Sequence, residues 1–413
     1  MRRITAFSSF LAILFACESN TPDNKELPEA KPVEIRLKAK VATDNSFALD
    51  LLKATCASSG ETNVFISPLS VSMALSMTLN GAGGETAGQM KDALRASDYP
   101  MEQINEYSKS LMDALPEVDP STQLTIANSI WYREGFSVKN DFLGVNRENY
   151  SAEIRPLDFS LPDAVKQINN WCALQTNGKI KEIIAPPLPG DALMYLINAV
   201  YFKGIWMSRF DKKNTREADF YPAGGAPLKV DMMRQEAGFN YRSDAQGEYL
   251  ELPYGNNAFS MILLLPHEGK TTDDLLGHLD GDSWNEMVAN MYNAEVNLQL
   301  PRFKAECKYE MQDGILPEMG MILPFTPAAD FSGISETPLL ISKVIHKTFV
   351  EVNEEGAEAA AATSVEMLIG SPGPVEIKPV DYIVNRPFLF AIRENSTGVI
   401  LFIGKMGAVT AGK

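Results

Sequence analysis

The chain has 413 residues, 45% of them hydrophobic and 22% charged, a composition typical of a globular protein with a large core. It carries 37 Lys and Arg against 53 Asp and Glu, and the resulting formal charge of −16 is spread along the chain. The sequence contains no dense Lys or Arg cluster, so neither a nucleic acid nor an anionic lipid surface is expected as its main partner.

The N-terminus has the pattern of an export signal. Two arginines precede an apolar run from Ile4 to Ala16, which is too short to span a bilayer but suits a signal-peptide core. The run ends in Leu-Phe-Ala-Cys at Cys17, which resembles the lipobox of bacterial lipoproteins, where the Cys thiol takes a diacylglycerol. An ordinary secretory signal and a twin-arginine signal are the alternatives. We therefore expect a signal peptide over residues 1–16, a lipid on Cys17, and anchoring at the outer membrane, the cell surface or within the periplasm.

The segment after Cys17 is polar and rich in Pro up to Lys40. We find no hydrophobic periodicity in it, so residues 17–42 are predicted to be the lipidated cysteine and a flexible tether. From about Thr43 the pattern becomes globular and continues to the end, which predicts a single domain over residues 43–413.

Within that domain, helical and extended patterns do not alternate regularly. Apolar residues from Phe47 to Cys56 recur at helical spacing, and a short strand from Asn63 to Ser67 stops at Pro68 before a buried helix. Further apolar strands are predicted at Leu124–Tyr132, Met194–Phe202 and Phe259–Leu265, and further helices at Asp273–Leu279 and Trp284–Met291. This order favours an α+β fold with large sheets over a parallel α/β fold.

Residues that could support catalysis or metal binding are scarce. The three histidines, His267, His278 and His346, accompany no G-x-S-x-G or H-E-x-x-H motif, and the Gly81–Gly84 run is not followed by Gly-Lys-Ser/Thr. The cysteines other than Cys17 are odd in number and far apart, so they fit neither a complete disulfide set nor a zinc motif; they are Cys56, Cys172 and Cys307. We therefore expect no enzyme, no cofactor and no metal, and an enzyme with an unrecognised site is the weakest alternative.

The segment from Glu354 to Leu368 has an unusual pattern. Its alanine run would favour a surface helix, but a period of two fits better, because both interior glutamates then lie on one face. That face carries Glu358, Ala360, Ala362, Ser364, Glu366 and Leu368, and the other carries Ala357, Ala359, Ala361, Thr363, Val365 and Met367. A strand of such small residues could slide between two others. The Gly- and Pro-rich run from Ile369 to Pro374 then predicts an exposed loop.

If a segment that can form a strand is held in an exposed loop, its energetically favourable insertion into a sheet has not yet taken place. Inserting about twelve residues into a sheet would add on the order of ten backbone hydrogen bonds at ~1 kcal/mol net each. Cutting the loop would release that step.

These patterns together resemble the serpin family over about residues 43 to 409. Five blocks carry the similarity in the family's order: Asn63–Ser70, Asn170–Ile180, Leu196–Trp206, Val344–Ala362 and Pro387–Lys405. The resemblance implies a large central β-sheet with two further sheets, surrounding helices, and a reactive-centre loop at about residues 354–380. It also implies a suicide-substrate mechanism, in which a protease attacks the loop, is held as an acyl-enzyme, and is trapped when the loop inserts into the central sheet.

The resemblance also assigns roles to individual residues. The hinge would comprise Glu354, Glu355, Gly356, Ala357, Glu358, Ala359, Ala360, Ala361, Ala362 and Thr363. The polar shutter beneath the opening strands would comprise Ser67, Ser70, Asn198 and His346, and Trp206 would lie where the strand first enters. Taken alone, His346 and Trp206 would be read as ordinary core residues. The family usually has Thr at the position of Ala357, and Ala is also small and uncharged, so insertion is still expected.

The expected partners are proteases. Family spacing places the cut within Leu368, Ile369, Gly370 and Ser371, and the chain has no Arg or Lys between Ala357 and Ile377. We therefore expect elastase-like or chymotrypsin-like serine proteases, then papain-like cysteine proteases, and poor trypsin inhibition. Heparin is not expected to activate the protein because residues 107–119 are acidic where some serpins carry a basic helix. We expect a monomer that contacts membrane only through its lipid; a non-inhibitory serpin acting as a carrier is the alternative.

Overall fold

The computed structural model describes residues 27–190, 192–357 and 378–409. Over these ranges the chain forms helices packed around one nine-stranded sheet and two three-stranded sheets, which confirms the predicted α+β class. A search of the same ranges finds no helix with the length and apolar character that a membrane span requires.

Several helices begin where the sequence supplies a cap. The Ser67 side chain accepts a hydrogen bond from the backbone N–H of Ser70, and Pro68 occupies the first helical position, so the preceding strand ends there. Thr271 and Asp274 form a capping box, which starts the helix that the sequence predicts from Asp273. The α-helices of the described ranges are Lys40–Ser59 (α1), Pro68–Leu79 (α2), Gly84–Ala93 (α3), Met101–Ala114 (α4), Asn140–Tyr150 (α5), Asp163–Gln175 (α6), Thr272–His278 (α7), Gly281–Ala289 (α8) and Ile315–Glu318 (α9).

The strands include every extended segment that the apolar runs predict. They are Asn63–Ile66 (β1), Gln123–Arg133 (β2), Glu153–Leu157 (β3), Met194–Lys203 (β4), Arg216–Phe220 (β5), Leu228–Ser243 (β6), Gly247–Tyr254 (β7), Phe259–Pro266 (β8), Tyr292–Pro301 (β9), Phe303–Glu310 (β10), Ile345–Asn353 (β11), Gly356–Ala357 (β12), Val380–Ile383 (β13), Phe388–Glu394 (β14) and Ile400–Met406 (β15). The nine-stranded sheet has the order β1-β15-β14-β8-β7-β6-β9-β13, with β5 paired to β6. Its strands β8 and β14 are buried along their whole length.

The two small sheets position the functional site. One has the order β3-β2-β4, and its β2 and β4 pair antiparallel from Gln123–Lys203 to Tyr132–Met194. The other has the order β10-β11-β12, and its β10 and β11 pair antiparallel from Phe303–Val352 to Glu310–Ile345.

The first small sheet is covered on both faces. Ile197 and Ala199 of β4 belong to the same buried cluster as Ile168 and Trp171 of α6. On the opposite face, Asn198 contacts the sulfur of a methionine in α2. Successive residues of β4 therefore alternate between the α6 side and the α2 side, as the period of a strand requires.

The N-terminal segment corrects one prediction. Residues 17–42 were expected to be a flexible tether, but α1 begins at Lys40, and Val33 and Ile35 are 4% and 8% exposed, within the core of the domain. The chain Val33-Glu34-Ile35-Arg36-Leu37-Lys38 in fact alternates apolar and charged residues, a period-two pattern that buries one face of an extended segment. The folded part therefore begins about ten residues earlier than predicted. Cys17 and residues 18–26 lie outside the described ranges.

Candidate functional site

The candidate site is the gap between β4 and β11. In the described ranges β4 pairs with β2, β11 pairs with β10 and β12, and no ladder joins β4 directly to β11. A cavity of about 270 Å³ lies between them, with Met194 and Leu196 on the β4 side and Ile345 on the β11 side. Facing strand edges of this kind offer backbone donors and acceptors to a further strand.

The short strand β12 enters this gap at one end. Gly356 and Ala357 pair antiparallel with Asn353 and Val352 of β11, and Gly356 also bridges Ile205, two residues beyond β4. The backbone at Gly356 thus lies between both edges, in the position of a middle strand. We call this the hinge end of the gap, and the opposite end, at Met194, the far end.

Gly356 is required by the way β12 enters. Its φ of +139° is unfavourable for a residue with a side chain, and an added Cβ would lie 2.1 Å from the carbonyl oxygen of Gly204 and 2.7 Å from the Cα of Ile205. A residue with a side chain at position 356 would therefore prevent the main chain from approaching the β4 side this closely.

The first hinge residue, Glu354, is buried and forms an ion pair with the partly exposed Arg302. The Arg302 Nε–H group lies 2.9 Å from both carboxylate oxygens of Glu354, and the Thr215 hydroxyl also donates to this carboxylate. Burial alone would raise the pKa of Glu354, but the hydrogen bonds from Arg302 and Thr215 bring it below its usual value. The neighbouring Glu355 accepts from Lys212 Nζ at 2.6 Å. Sequence reasoning missed these three partners, because nothing in their own segments points to the hinge.

Trp206 packs beside the hinge. It is 2% exposed, stacks on Tyr254 with 4.3 Å between ring centroids, and donates from Nε1 to the carbonyl oxygen of Asn353 at 2.9 Å. Its backbone N–H donates to the carbonyl of Glu355 at 2.9 Å. The structure thus places Trp206 in contact with the residues where β11 ends and β12 begins.

Three of the four predicted shutter residues form one buried cluster. The backbone N–H of Ser67 donates to His346 Nε2 at 2.9 Å, and the Ser67 hydroxyl donates to the Leu401 carbonyl and accepts from the Ser70 N–H. Because Nε2 accepts a hydrogen bond, the imidazole proton is on Nδ1. Burial lowers the pKa of His346 to about 3, so the ring is neutral at physiological pH.

The fourth, Asn198, has a different partner. Its Nδ2 donates to Oδ1 of Asn128 on β2 at 2.7 Å, and Asn128 in turn donates to the Tyr150 carbonyl at 2.8 Å. Asn198 lines the same cavity as Ser70 and His346, and its buried Oδ1 has no hydrogen-bond partner within the described ranges. Sequence reasoning missed Asn128, although an amide within the apolar run Leu124–Tyr132 signals a buried polar group that needs partners.

Only part of the predicted loop can be located. Glu354, Glu355, Gly356 and the backbone of Ala357 are described. The remaining hinge residues, Glu358 to Thr363, and the reactive-bond window, Leu368 to Ser371, lie outside the described residues. The chain is described again from Lys378, shortly before β13, which pairs parallel with β9.

The other candidate chemical groups have structural contacts. His267 Nε2 and His278 Nδ1 each lie 2.7 Å from a backbone carbonyl oxygen. Cys56, Cys172 and Cys307 are free thiols, and burial raises the pKa of Cys56 to about 11 and that of Cys172 to about 12. Across the described ranges, no group of three or more His, Cys, Asp or Glu is arranged to hold a metal ion.

The buried state of His346 gives a testable pH dependence. In the unfolded chain this imidazole takes up a proton below about pH 6.5, whereas in the folded protein it does so only near pH 3. Its contribution to stability is complete above pH 6.5 and declines as the pH falls, by at most about 1.4 kcal/mol per pH unit. In urea unfolding, His346→Gln should therefore lose less stability on acidification than the parent. The exposed His278→Gln is the matched control, and equal pH profiles for His346→Gln and the parent would contradict a neutral buried ring.

Comparison with known proteins agrees with this geometry. The family model described as "Serpin (serine protease inhibitor)" matches residues 42–408. Iris from Ixodes ricinus is 37% identical over 370 residues, covering 87% of this chain and 97% of Iris. The crystal structure of native Tengpin, a thermophilic serpin, matches with a TM-score of 0.82 at 34% identity, covering 93% of this chain and all of Tengpin.

A structure of human thyroxine-binding globulin complexed with thyroxine also matches, with a TM-score of 0.81 at 26% identity, covering 90% of this chain and 99% of that one. The five sequence blocks, the fold and the family match thus agree over nearly the whole domain. The chain belongs to the serpin family.

Proposed function

We propose that this protein inhibits proteases as a suicide substrate. The observation that carries the proposal is the position of β12: Gly356 pairs with β11 and bridges Ile205 beside β4, so β12 itself already lies between the two facing edges of the gap. The small side chains that follow in the sequence suit a strand that must pass between two others. Family membership supports the same function.

The chemistry would be supplied by the target. Its catalytic Ser or Cys attacks the carbonyl carbon before the scissile bond, an ester or thioester forms, and the peptide nitrogen leaves with a proton as a new amino terminus. Insertion of the segment after Gly356 then carries the acylated protease toward the far end of the gap. This chain contributes the strand, the acceptor edges and the hinge, and no catalytic group.

Extending the observed pairing gives the register of the inserted strand. Continued antiparallel from the Gly356 pairs, the inserted strand would bring Thr363 opposite both Asn198 and His346, and Glu358 opposite Lys203. Met367 would then lie opposite Met194, the first residue of β4. The strand would thus fill β4 completely just before the reactive-bond window begins.

The same register supports a cut between Leu368 and Ser371. Apolar residues before the bond suit elastase-like or chymotrypsin-like serine proteases and then papain-like cysteine proteases, and the chain has no basic residue for trypsin from 358 to 377. Mass spectrometry of the C-terminal fragment released from a denatured complex should give a first residue within Ile369 to Ser371. A fragment that begins elsewhere, or a stable trypsin complex, would refute this assignment while leaving the mechanism intact.

The alternative is a non-inhibitory serpin that binds or carries a ligand, as the thyroxine complex of thyroxine-binding globulin illustrates for that protein. The uncharged, small residues from Ala359 to Ala362 favour the inhibitor. Titration of an elastase-like enzyme tests the choice: activity should fall to zero near one inhibitor per enzyme. Full protease activity after every loop has been cut would favour the alternative.

We further propose that Cys17 is lipidated and that the protein is anchored at the outer membrane, the cell surface or in the periplasm. The supporting observation is the apolar run that ends in Leu-Phe-Ala-Cys. Cys17→Ser should abolish labelling with a radioactive fatty acid and move the protein out of the membrane fraction, or leave it unprocessed. Cys56→Ser is the matched control. Unchanged membrane fractionation of Cys17→Ser would contradict the anchor.

A further inference from the structure

The extended segment Val33–Leu37, here called the docked strap, joins the N-terminus to two parts of the domain. The Val33 N–H donates to the Ser396 hydroxyl at 2.8 Å, in the turn between β14 and β15, and the Arg36 N–H donates to the Ser110 hydroxyl of α4 at 3.0 Å. The side chains of Val33 and Ile35 are buried, while Glu34 is exposed. The strap is therefore held by both its backbone and its apolar face.

The strap docks at the hinge end of the gap. The residue before Ser396, Asn395, donates its N–H to the Ala258 carbonyl at 2.8 Å. The turn that contains Ala258 begins at Gly255, whose N–H donates to the carbonyl of Ile205 at 2.7 Å. Ile205 is the residue that bridges Gly356. Two backbone hydrogen bonds and one short turn thus connect the strap's docking site with the point where β12 enters.

Chain length limits how far this end can lie from a lipid on Cys17. Sixteen peptide steps separate Cys17 from Val33, which at ~3.4 Å each span at most about 54 Å. The far end of the gap lies ~36 Å from the hinge end, since eleven residue steps along and just beyond β4 separate Met194 from Ile205. The acidic surface gives no electrostatic attraction to anionic headgroups, so the attachment point decides which end is nearer the bilayer.

We propose that the docked strap tethers the domain by its hinge end, so that a protease meets the loop close to the membrane and is carried away from it on trapping. The inference rests on the proposed lipid anchor and, for the movement of the protease, on the proposed trap. The partner surface is the bilayer that holds the Cys17 acyl chains. The chain between Cys17 and the first residue that the domain holds is here called the leash. If the strap undocks, that residue becomes Lys40, and the maximum span of the leash rises to about 78 Å.

Energy transfer to a lipid-borne acceptor tests this orientation in phosphatidylcholine vesicles. A donor dye is placed at the hinge end through Ser208→Cys, or near the far end through Gly190→Cys, where a Cβ meets no atom within 4 Å. Each of the two substitutions is made separately in the full chain, in which Cys56 and Cys307 are replaced by Ser and the buried Cys172 is retained. The hinge-end donor should show several-fold stronger transfer than the far-end donor. Equal transfer from the two positions would overturn the proposal.

Variants of the strap provide the second arm. Val33→Asp with Ile35→Asp should undock it and lower transfer from both positions, whereas Glu34→Ala with Lys38→Ala, at exposed positions, should not. If the aspartate variant fails to fold, a Gly-Ser insertion after Pro28 lengthens the leash without changing the strap and should have the same effect. Unchanged transfer in the longer-leashed protein would refute the tethering role.

Tethering by the hinge end can be tested apart from the proposed lipid anchor and the proposed protease trap. Intact mass shows whether cells lipidate Cys17. If they do not, Cys17 is coupled to a maleimide lipid in a chain without the added cysteine, and the donor is attached at residue 208 or 190 through an azide-bearing amino acid, which allows the same measurement. Loss of inhibition alone would leave the orientation result unaffected.

Discussion

Cleavage of the loop between Leu368 and Ser371 is expected to raise the melting temperature by roughly 10 °C or more. Adding a strand between β4 and β11 contributes on the order of ten hydrogen bonds at ~1 kcal/mol each, and each kcal/mol shifts the midpoint of a domain of this size by slightly more than ~1 °C. Differential scanning calorimetry of intact and cleaved protein measures the rise. An unchanged midpoint after clean cleavage would rule out strand insertion.

The same measurement on Ala357→Arg isolates the hinge. Ala357 pairs with Val352 at the start of the insertion, so a charged side chain there would enter the sheet without a partner, at a cost of several kcal/mol. Cleaved Ala357→Arg should show a distinctly smaller rise in melting temperature than the cleaved parent, and the variant should be turned over as a substrate. Val375→Arg, which adds the same charge beyond the bond, is the matched control and should keep both the rise and the inhibition.

A second large effect is expected at the Glu354–Arg302 pair. The Glu354 side chain is 2% exposed and Arg302 is 36% exposed, so one partner is fully desolvated and the other is partly screened. Glu354→Gln should lower the free energy of unfolding of the intact protein by about 2 kcal/mol, less than for a pair with both partners buried.

The matched control is Glu336→Gln. Glu336 also pairs with a basic residue, Lys139, but its side chain is 88% exposed, so little change is expected. Urea unfolding at neutral pH compares the two variants. Equal stabilities of Glu354→Gln and Glu336→Gln would show that burial of the hinge carboxylate does not matter.

Much of the fold follows from local patterns that tertiary contacts do not override. The strand at Asn63 and the helix after Pro68 are set by burial and by a Ser-Pro cap, which short-range physics fixes. The buried strand at Phe259 follows from a continuous apolar run between turn residues. The strap was missed because its period-two pattern is short and lies next to a Pro-rich polar stretch.

The candidate site was only partly predictable for a different reason. The small residues after Gly356 show which segment can insert, because they lie together in the sequence. The residues that bind the hinge do not lie together in the sequence, because Arg302 follows β9 and Thr215 precedes β5. Both meet Glu354 only because the strands between them fold together. Likewise, Asn198 is predictable as polar, but its bond to Asn128 depends on the register of β2 and β4.

A protease that cuts this loop is expected to stay covalently attached to it. Incubation of the full chain with an elastase-like serine protease, followed by denaturing electrophoresis and intact mass, tests this directly. We predict a band at the sum of the two masses less the released C-terminal fragment, formed at near-unit stoichiometry and lost on treatment with strong base. If every serine and cysteine protease tested converts the inhibitor completely to its cleaved form and remains free and fully active, the suicide-substrate mechanism is contradicted.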